Sequence, residues 1–291
     1  MSRITAYSAI TSTKGTTALG DADVFIVDGT NGSRKIAAKD LANAVQDKLL
    51  KSCAAAPYAK NGIYRGANLG SGSTFAAAST TAQKTAINNG TFEGLFIGDY
   101  WTIDGRVYRI ADFNYWYNVG DTALTTNHIV LVPDASFGNG SMNATNITTG
   151  GYVGSAMYTD SSSVLNTART TISSKFGNYL VSHKIYLCNA VTDGKESGGA
   201  WYTSTVDLMS EIMVYGRRIR NPSNFYTTEK SQLALFKLAP QRMHDRGYNT
   251  WLRDVVSSTY FAFVSNVGYA GTGAASHSHG VRPAFAVKGT A

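Results

Sequence analysis

The chain has 291 residues, with 29 glycines, only 5 prolines, 15% charged residues and a formal net charge of +7. That length buries a sizeable core, either as one large domain with an appendage or as two domains. A composition filled out by Thr, Ser, Asn, Tyr and Gly excludes a helical cytosolic enzyme and fits a β-rich extracellular protein.

The first periodic stretch runs over residues 20–50. The apolar run Val24-Phe25-Ile26-Val27, a Gly/Asn turn, and a second strand ending near Ile36 predict a hairpin, followed by a helix from about residue 39 to residue 50. Leu41, Val45 and Leu49 recur at steps of four and form a stripe that so small a unit cannot cover by itself. Residues 1–55 therefore read as a β-β-α segment for docking and self-association, with Phe25, Ile36, Leu41, Val45 and Leu49 as its contact residues. An alanine-rich linker and the start of the main domain occupy residues 56–93, and residues 94–291 form the main domain.

Within the main domain, alternating segments flank Asp104-Gly105 and predict a hairpin, and an apolar strand over residues 128–132 closes before Pro133. Val164, Ala168, Ile172 and Phe176 at steps of four predict a helix with caps at residues 161–163 and at Gly177. A second helix is expected over residues 206–215, stopped by Gly216, with Leu208, Met209, Ile212 and Met213 inward. A third is expected over residues 231–238, stopped by Pro240. Cys188 lies in an apolar run and reads as a small buried hydrophobe. Cys53 lies far from it, so no disulfide framework follows. The chain opens on no charged leader and contains no 18-residue apolar run, so neither signal-directed export nor membrane insertion is expected.

Near the end, Trp251-Leu252-Arg253 is followed 27 residues later by Gly280-Val281-Arg282-Pro283-Ala284-Phe285. Residues 254–279 between them show no helical period and no run long enough for a buried strand, and read as a short hairpin with exposed loops. Their rigid aromatics among small polar residues match the make-up of binding loops. Tyr248, Tyr260, Asn266, Tyr269, Ser276, His277 and His279 are the candidate recognition residues. Phe261 and Phe263 share a face and are equally readable as core. Trp251, Arg253 and Arg282 read as structural, the arginines forking to backbone or carboxylate oxygens.

The two closing motifs resemble those of a domain family common in bacteriophage virion proteins, with a C-type-lectin-like fold, and residues 94–134 are similar to it as well. Residues 20–50 resemble the amino-terminal attachment segment of phage tail and fibre proteins, in which a strand pair leads to a helix after an Ile-Ala-Ala-Lys-Asp-Leu-like string. The resemblance implies an α+β fold and a virion appendage, a tail fibre or receptor-binding protein. Such a protein is a homotrimer, docks on other virion proteins through its amino-terminal segment, and recognises a host-surface glycan or protein. A head fibre or capsid decoration protein, and a ligand-binding protein diversified by a retroelement, are the competing readings.

No enzyme and no cofactor are expected. Glycan cleavage needs two carboxylates held ~5–10 Å apart. The 4 glutamates (Glu93, Glu196, Glu211, Glu229) and 15 aspartates show no pattern that selects a pair, and many of the aspartates sit in turns such as Asp193-Gly194. The calcium motifs of the lectins the fold suggests are absent. Cys53 and Cys188 do not reproduce the cysteines of the related cysteine-oxidising fold. His277-Ser278-His279 would place two imidazoles on one strand face, and three copies of the pair near an axis would offer six nitrogens to a transition metal, the remaining metal reading. Arg217, Arg218 and Arg220 form the one basic cluster. It accompanies no nucleic-acid motif and reads as structural, while the net positive charge would steer the protein toward an anionic surface.

Overall fold

Two tight turns set the architecture. Asp104 and Gly105 (φ 50° and 77°) and Asp193 and Gly194 (φ 50° and 72°) both adopt left-handed backbone. Aspartate tolerates that region and glycine enters it freely, so each pair closes a two-residue hairpin whose twist suits its flanking strands. The first joins β4 (Tyr100–Ile103) to β5 (Arg106–Phe113), as expected. The second joins β9 (His183–Thr192) to β10 (Lys195–Ser204), a hairpin the sequence reading did not draw although the same Asp-Gly signal marks it.

The computed structural model describes residues 24–29, 32–37, 40, 45, 60–223, 229 and 231–291. The chain divides into two units, Met1–Ala55 and Ala56–Ala291. In the first, β1 (Val24–Gly29) and β2 (Gly32–Ala37) pair antiparallel, with Phe25 opposite Ile36. Asp40 and Val45 are helical and exposed, and Leu41 and Leu49 lie outside the described residues.

The second unit is mixed α+β with more strand than helix. Its main sheet places β3 (Asn68–Gly72), β4, β5, β6 (Ile129–Pro133), β16 (Pro283–Val287) and β11 (Val206–Leu208) side by side, with β8 (Leu180–Val181) also on β16. The first and last strands of the unit thus lie in one sheet. Pro283 begins β16, where a missing N–H is tolerated. A second sheet runs β14 (Ala270–Ala274), β13 (Tyr260–Val264), β12 (Thr250–Val255), β15 (His279–Gly280) and β7 (Asn139–Gly140).

The short helices α1 (Phe75–Ala78), α2 (Thr81–Asn88) and α3 (Ala156–Thr159) precede α4 (Val164–Phe176). Ser163 caps α4 and Gly177 ends it; of the residues at steps of four, Ala168, Ile172 and Phe176 are buried, while Val164 is half-buried and Leu165 beside it is buried instead. Phe176 meets Tyr108 of β5 and Phe285 of β16 edge to face at 5.1 and 4.8 Å, pinning the helix to the main sheet.

Three expectations change. The helix expected over residues 206–215 is a strand followed by one short helix: β11 pairs Val206 with Phe285, and α5 (Glu211–Tyr215) starts only after Ser210, whose hydroxyl accepts the Met213 N–H. A cap three residues inside the apolar stripe outweighs the stripe's period, because the four free N–H groups must start where an acceptor waits. The third helix is likewise shorter, α6 (Ala234–Leu238). Residues 254–279 do hold a buried strand: Phe261, Ala262, Phe263 and Val264 of β13 are all shielded, so both faces of that strand are covered. Cys188 is buried and free, and burial raises its thiol pKa to about 12, while Cys53 lies outside the described residues.

Candidate functional site

The closing motif is anchored from within. Trp251 is fully buried on β12, and its Nε1 donates to the Gly140 carbonyl at 2.8 Å. Arg282, buried just before β16, donates from Nε to Pro133 O at 2.6 Å and from Nη1 to Arg242 O and Met243 O at 2.8 and 2.9 Å. Burial lowers its pKa to about 10, which leaves it cationic at neutral pH.

Arg253 centres a buried charge network. It donates to Leu208 O at 3.0 Å and pairs with the Glu229 carboxylate. Beside it, Asp254 accepts the Glu211 N–H at 2.7 Å, and Glu196 accepts the Val255 N–H and the Asn221 amide at 3.2 and 2.7 Å. Burial, then the neighbouring Glu211 and Glu196, push the Asp254 pKa well up. Burial also raises that of Glu196. Burial disfavours the charged form of Arg253, but Glu229 and Asp254 outweigh it and its pKa rises. Three of the four glutamates therefore converge in space, which spacing along the chain did not show. The cavity among Tyr152, Cys188, Glu196, Glu229, Arg253 and Asp254 measures about 20 Å³. That volume suits one water, against the several hundred cubic ångströms of a small-molecule site. The network ties β10, α5 and β12 together.

The exposed candidates fall at opposite ends of the β13–β14 hairpin. Tyr260 pairs with Ala274 at one end and Val264 with Ala270 at the other, four residue steps or roughly 13 Å apart. At the Tyr260 end, the Ser276 N–H and hydroxyl both reach Asn146 Oδ1, and His277 is exposed in the bend that follows. At the far end lie Tyr248, Asn266 and Tyr269. His279 belongs to neither. It opens β15 and lies half-buried against the rings of Trp251 and Phe263, with centroids 4.3 and 4.8 Å away. The two imidazoles therefore do not share a strand face as the His-X-His spacing suggested; their planes stand 83° apart. No group of three or more His, Cys, Asp or Glu able to hold a metal occurs among the described residues.

The far end is built from three loops braced on one another. In residues 216–221, Gly216 (φ 80°) ends α5 in left-handed backbone and the chain then winds around the buried Glu211 carboxylate. That carboxylate takes the N–H groups of Ile219, Arg220 and Asn221 at 2.9–3.0 Å. Holding an anion inside turns Arg217, Ile219 and Arg220 outward, and Arg220 Nε reaches Ala270 O at 3.0 Å. The turn at residues 265–269 is closed by Ser265, whose hydroxyl accepts the N–H groups of Val267 and Tyr269. Asn249 Oδ1 accepts the Asn266 N–H at 3.0 Å, which fastens that turn to the loop carrying Arg246 and Tyr248. Val267 and Tyr269 are 69% and 61% exposed, and with Ile219 and Tyr248 they make up half of the large exposed hydrophobics among the described residues. Sequence reading found Tyr248, Asn266 and Tyr269 but missed Ile219, Val267 and the arginines. The signal was there in Arg217-Arg218-Ile219-Arg220, read only as a charge cluster.

No helix among the described residues is long and apolar enough to cross a membrane. No family model, curated protein or solved structure matches this chain, so what it does must be read from its own geometry.

Proposed function

We propose that the chain is a bacteriophage virion appendage, a tail fibre or receptor-binding protein, whose larger unit is a C-type-lectin-like domain for host-surface recognition. The observation that carries this reading is the face at the far end of the β13–β14 hairpin. Tyr248, Asn266 and Tyr269 are exposed on loops that hydrogen bonds brace at one end of the second sheet. Tyrosine offers wide contact area at small entropic cost, and loops braced beforehand lose little freedom on binding. The lectin-like reading draws support from the first and last strands of the unit lying in one sheet, and from Trp251, Arg253 and Arg282 all being buried in structural contacts.

Residues 1–55 dock the protein on the particle and trimerise it. Val45, one of the stripe residues, is 59% exposed, so that stripe has an uncovered member. The test is adsorption of the labelled full chain to bacterial hosts, with gold labelling of particles to place it. The Tyr248→Ala/Tyr269→Ala variant should lose about tenfold or more in adsorption. Tyr260→Ala, at the opposite end, should retain it. A chain that adsorbs to no host and labels no particle would sink the reading.

A further inference from the structure

We infer that the face formed by Ile219, Arg220, Arg246, Tyr248, Val267 and Tyr269 binds an acidic glycan, a sugar polymer bearing carboxylate or phosphate groups. This rests on the recognition face proposed above and names its ligand class.

Charge decides the sign of the ligand. Arg217, Arg220 and Arg246 are exposed on two of the three loops. The nearby acids are turned inward and already occupied. Glu211 is fully buried beneath three N–H groups. Asp245 is half-buried and accepts the N–H groups of Ser136 and Gly247 at 2.8 and 3.1 Å. What this face presents outward is therefore cationic. Arginine's planar fork fits carboxylate and phosphate oxygens in pairs. Between the arginines stand exposed tyrosine rings and the aliphatic Ile219 and Val267, surfaces on which the C–H faces of sugar rings stack. A neutral sugar would leave the guanidinium groups unanswered. Double-stranded nucleic acid has its bases paired away from such rings, and it would engage the charge alone.

The loops are braced by bonds that leave the arginine tips free to act. Arg220 uses Nε on the carbonyl of Ala270, the residue after Tyr269. Gly268 (φ 95°) lies so near His244 that an added Cβ would sit 3.2 Å from the imidazole Cδ2, so the turn packs closely on the loop that carries Arg246.

The experiment uses the full chain and immobilised polymers of known charge: polygalacturonate for carboxylate, phosphomannan for phosphate, dextran as the neutral arm and duplex DNA as the nucleic-acid arm. Binding to one or both acidic polysaccharides is expected, weakening steeply between about 50 and about 500 mM salt, with dextran unbound. Which of the two binds identifies the acid group. Arg217→Ser/Arg246→Ser, which touches none of the bracing bonds, should weaken that binding about tenfold or more, and Tyr269→Ala comparably. His277→Ala, at the other end of the hairpin, should leave it unchanged. Equal binding of dextran, an Arg217→Ser/Arg246→Ser variant that binds as the parent does, or tighter binding of DNA with no effect of Tyr269→Ala would each overturn the inference. The two proposals separate cleanly. Host adsorption that ignores the arginine variant rejects the acidic ligand and keeps the appendage. Acidic-polymer binding without host adsorption or particle labelling does the reverse.

Discussion

At the residue scale, the groups that matter most for stability are buried charges and buried imidazoles. Arg253 answers Glu229 in a buried site, so Arg253→Met takes from that carboxylate the guanidinium it pairs with. It should cost about 3–5 kcal/mol in urea unfolding, and Glu229→Gln in the same chain should recover part of that. His183 is stacked on Trp116 at 3.8 Å, and burial lowers its pKa to about 3. A base whose folded pKa is depressed binds its proton first in the unfolded chain. Its contribution is complete above pH 6.5 and drains away as pH falls toward 3. His183→Phe keeps a ring on Trp116 and removes that proton. Relative to the parent it should gain about 1.4 kcal/mol per pH unit on acidification through that window. Asp112 works in the opposite sense. Burial raises its pKa to about 7 even though it accepts Asn61 Nδ2 and the Ala234 N–H, so the parent loses stability as pH climbs from 3.8 through 7. Asp112→Asn should therefore gain on the parent over the same range. Urea midpoints at several pH values check both slopes, and flat differences would contradict the burial. His183 did not stand out in the sequence, because only the fold places it against Trp116.

At the element scale, β14 shows how far spacing alone carries. Its Ala-Gly-Thr-Gly-Ala sequence has poor strand propensity, yet it pairs along its whole length with β13. The glycines leave room for large rings: a Cβ on Gly271 would lie 2.3 Å from the Phe263 ring, and one on Gly273 would lie 2.7 Å from both Trp251 and His279. Gly273→Ala should therefore lower stability by about 1–3 kcal/mol in a thermal or urea melt, through overpacking against a buried indole. The helix at Val164–Phe176 was legible because its caps and its apolar period agree. The stretch 206–215 was misread because a helix-like spacing of apolar residues there serves a strand, a connection and a short helix in succession, each burying its own side chains.

At the scale of the whole molecule, assembly is the property to test first. Val45 is exposed on a helical residue of the first unit, which fits a stripe awaiting copies of itself. The full chain should therefore be a trimer by light scattering, and Leu41→Asp/Val45→Asp/Leu49→Asp should reduce it to a monomer while the second unit keeps its melting transition. A parent that is already monomeric would refute the trimer.

The sequence by itself determined what local chemistry controls. The Asp104-Gly105 hairpin follows from backbone conformations few other pairs adopt, the helix ending at Phe176 from matched caps and period, and the α+β class from the alternation of such elements. It also marked Tyr248, Asn266 and Tyr269 as loop residues. Only the tertiary structure decided which of the candidates share a surface. It placed Tyr260, Ser276 and His277 at one end of a hairpin and turned His279 onto Trp251. It also tied the loop of Arg220 to Ala270, next to Tyr269, and the loop of Arg246 and Tyr248 to the turn at Asn266. Those relations depend on contacts between residues far apart in the chain, such as Arg220 with Ala270 or Asn249 with Asn266. Their partners are chosen by packing and by the need to satisfy buried polar groups, and neither leaves a period in the sequence.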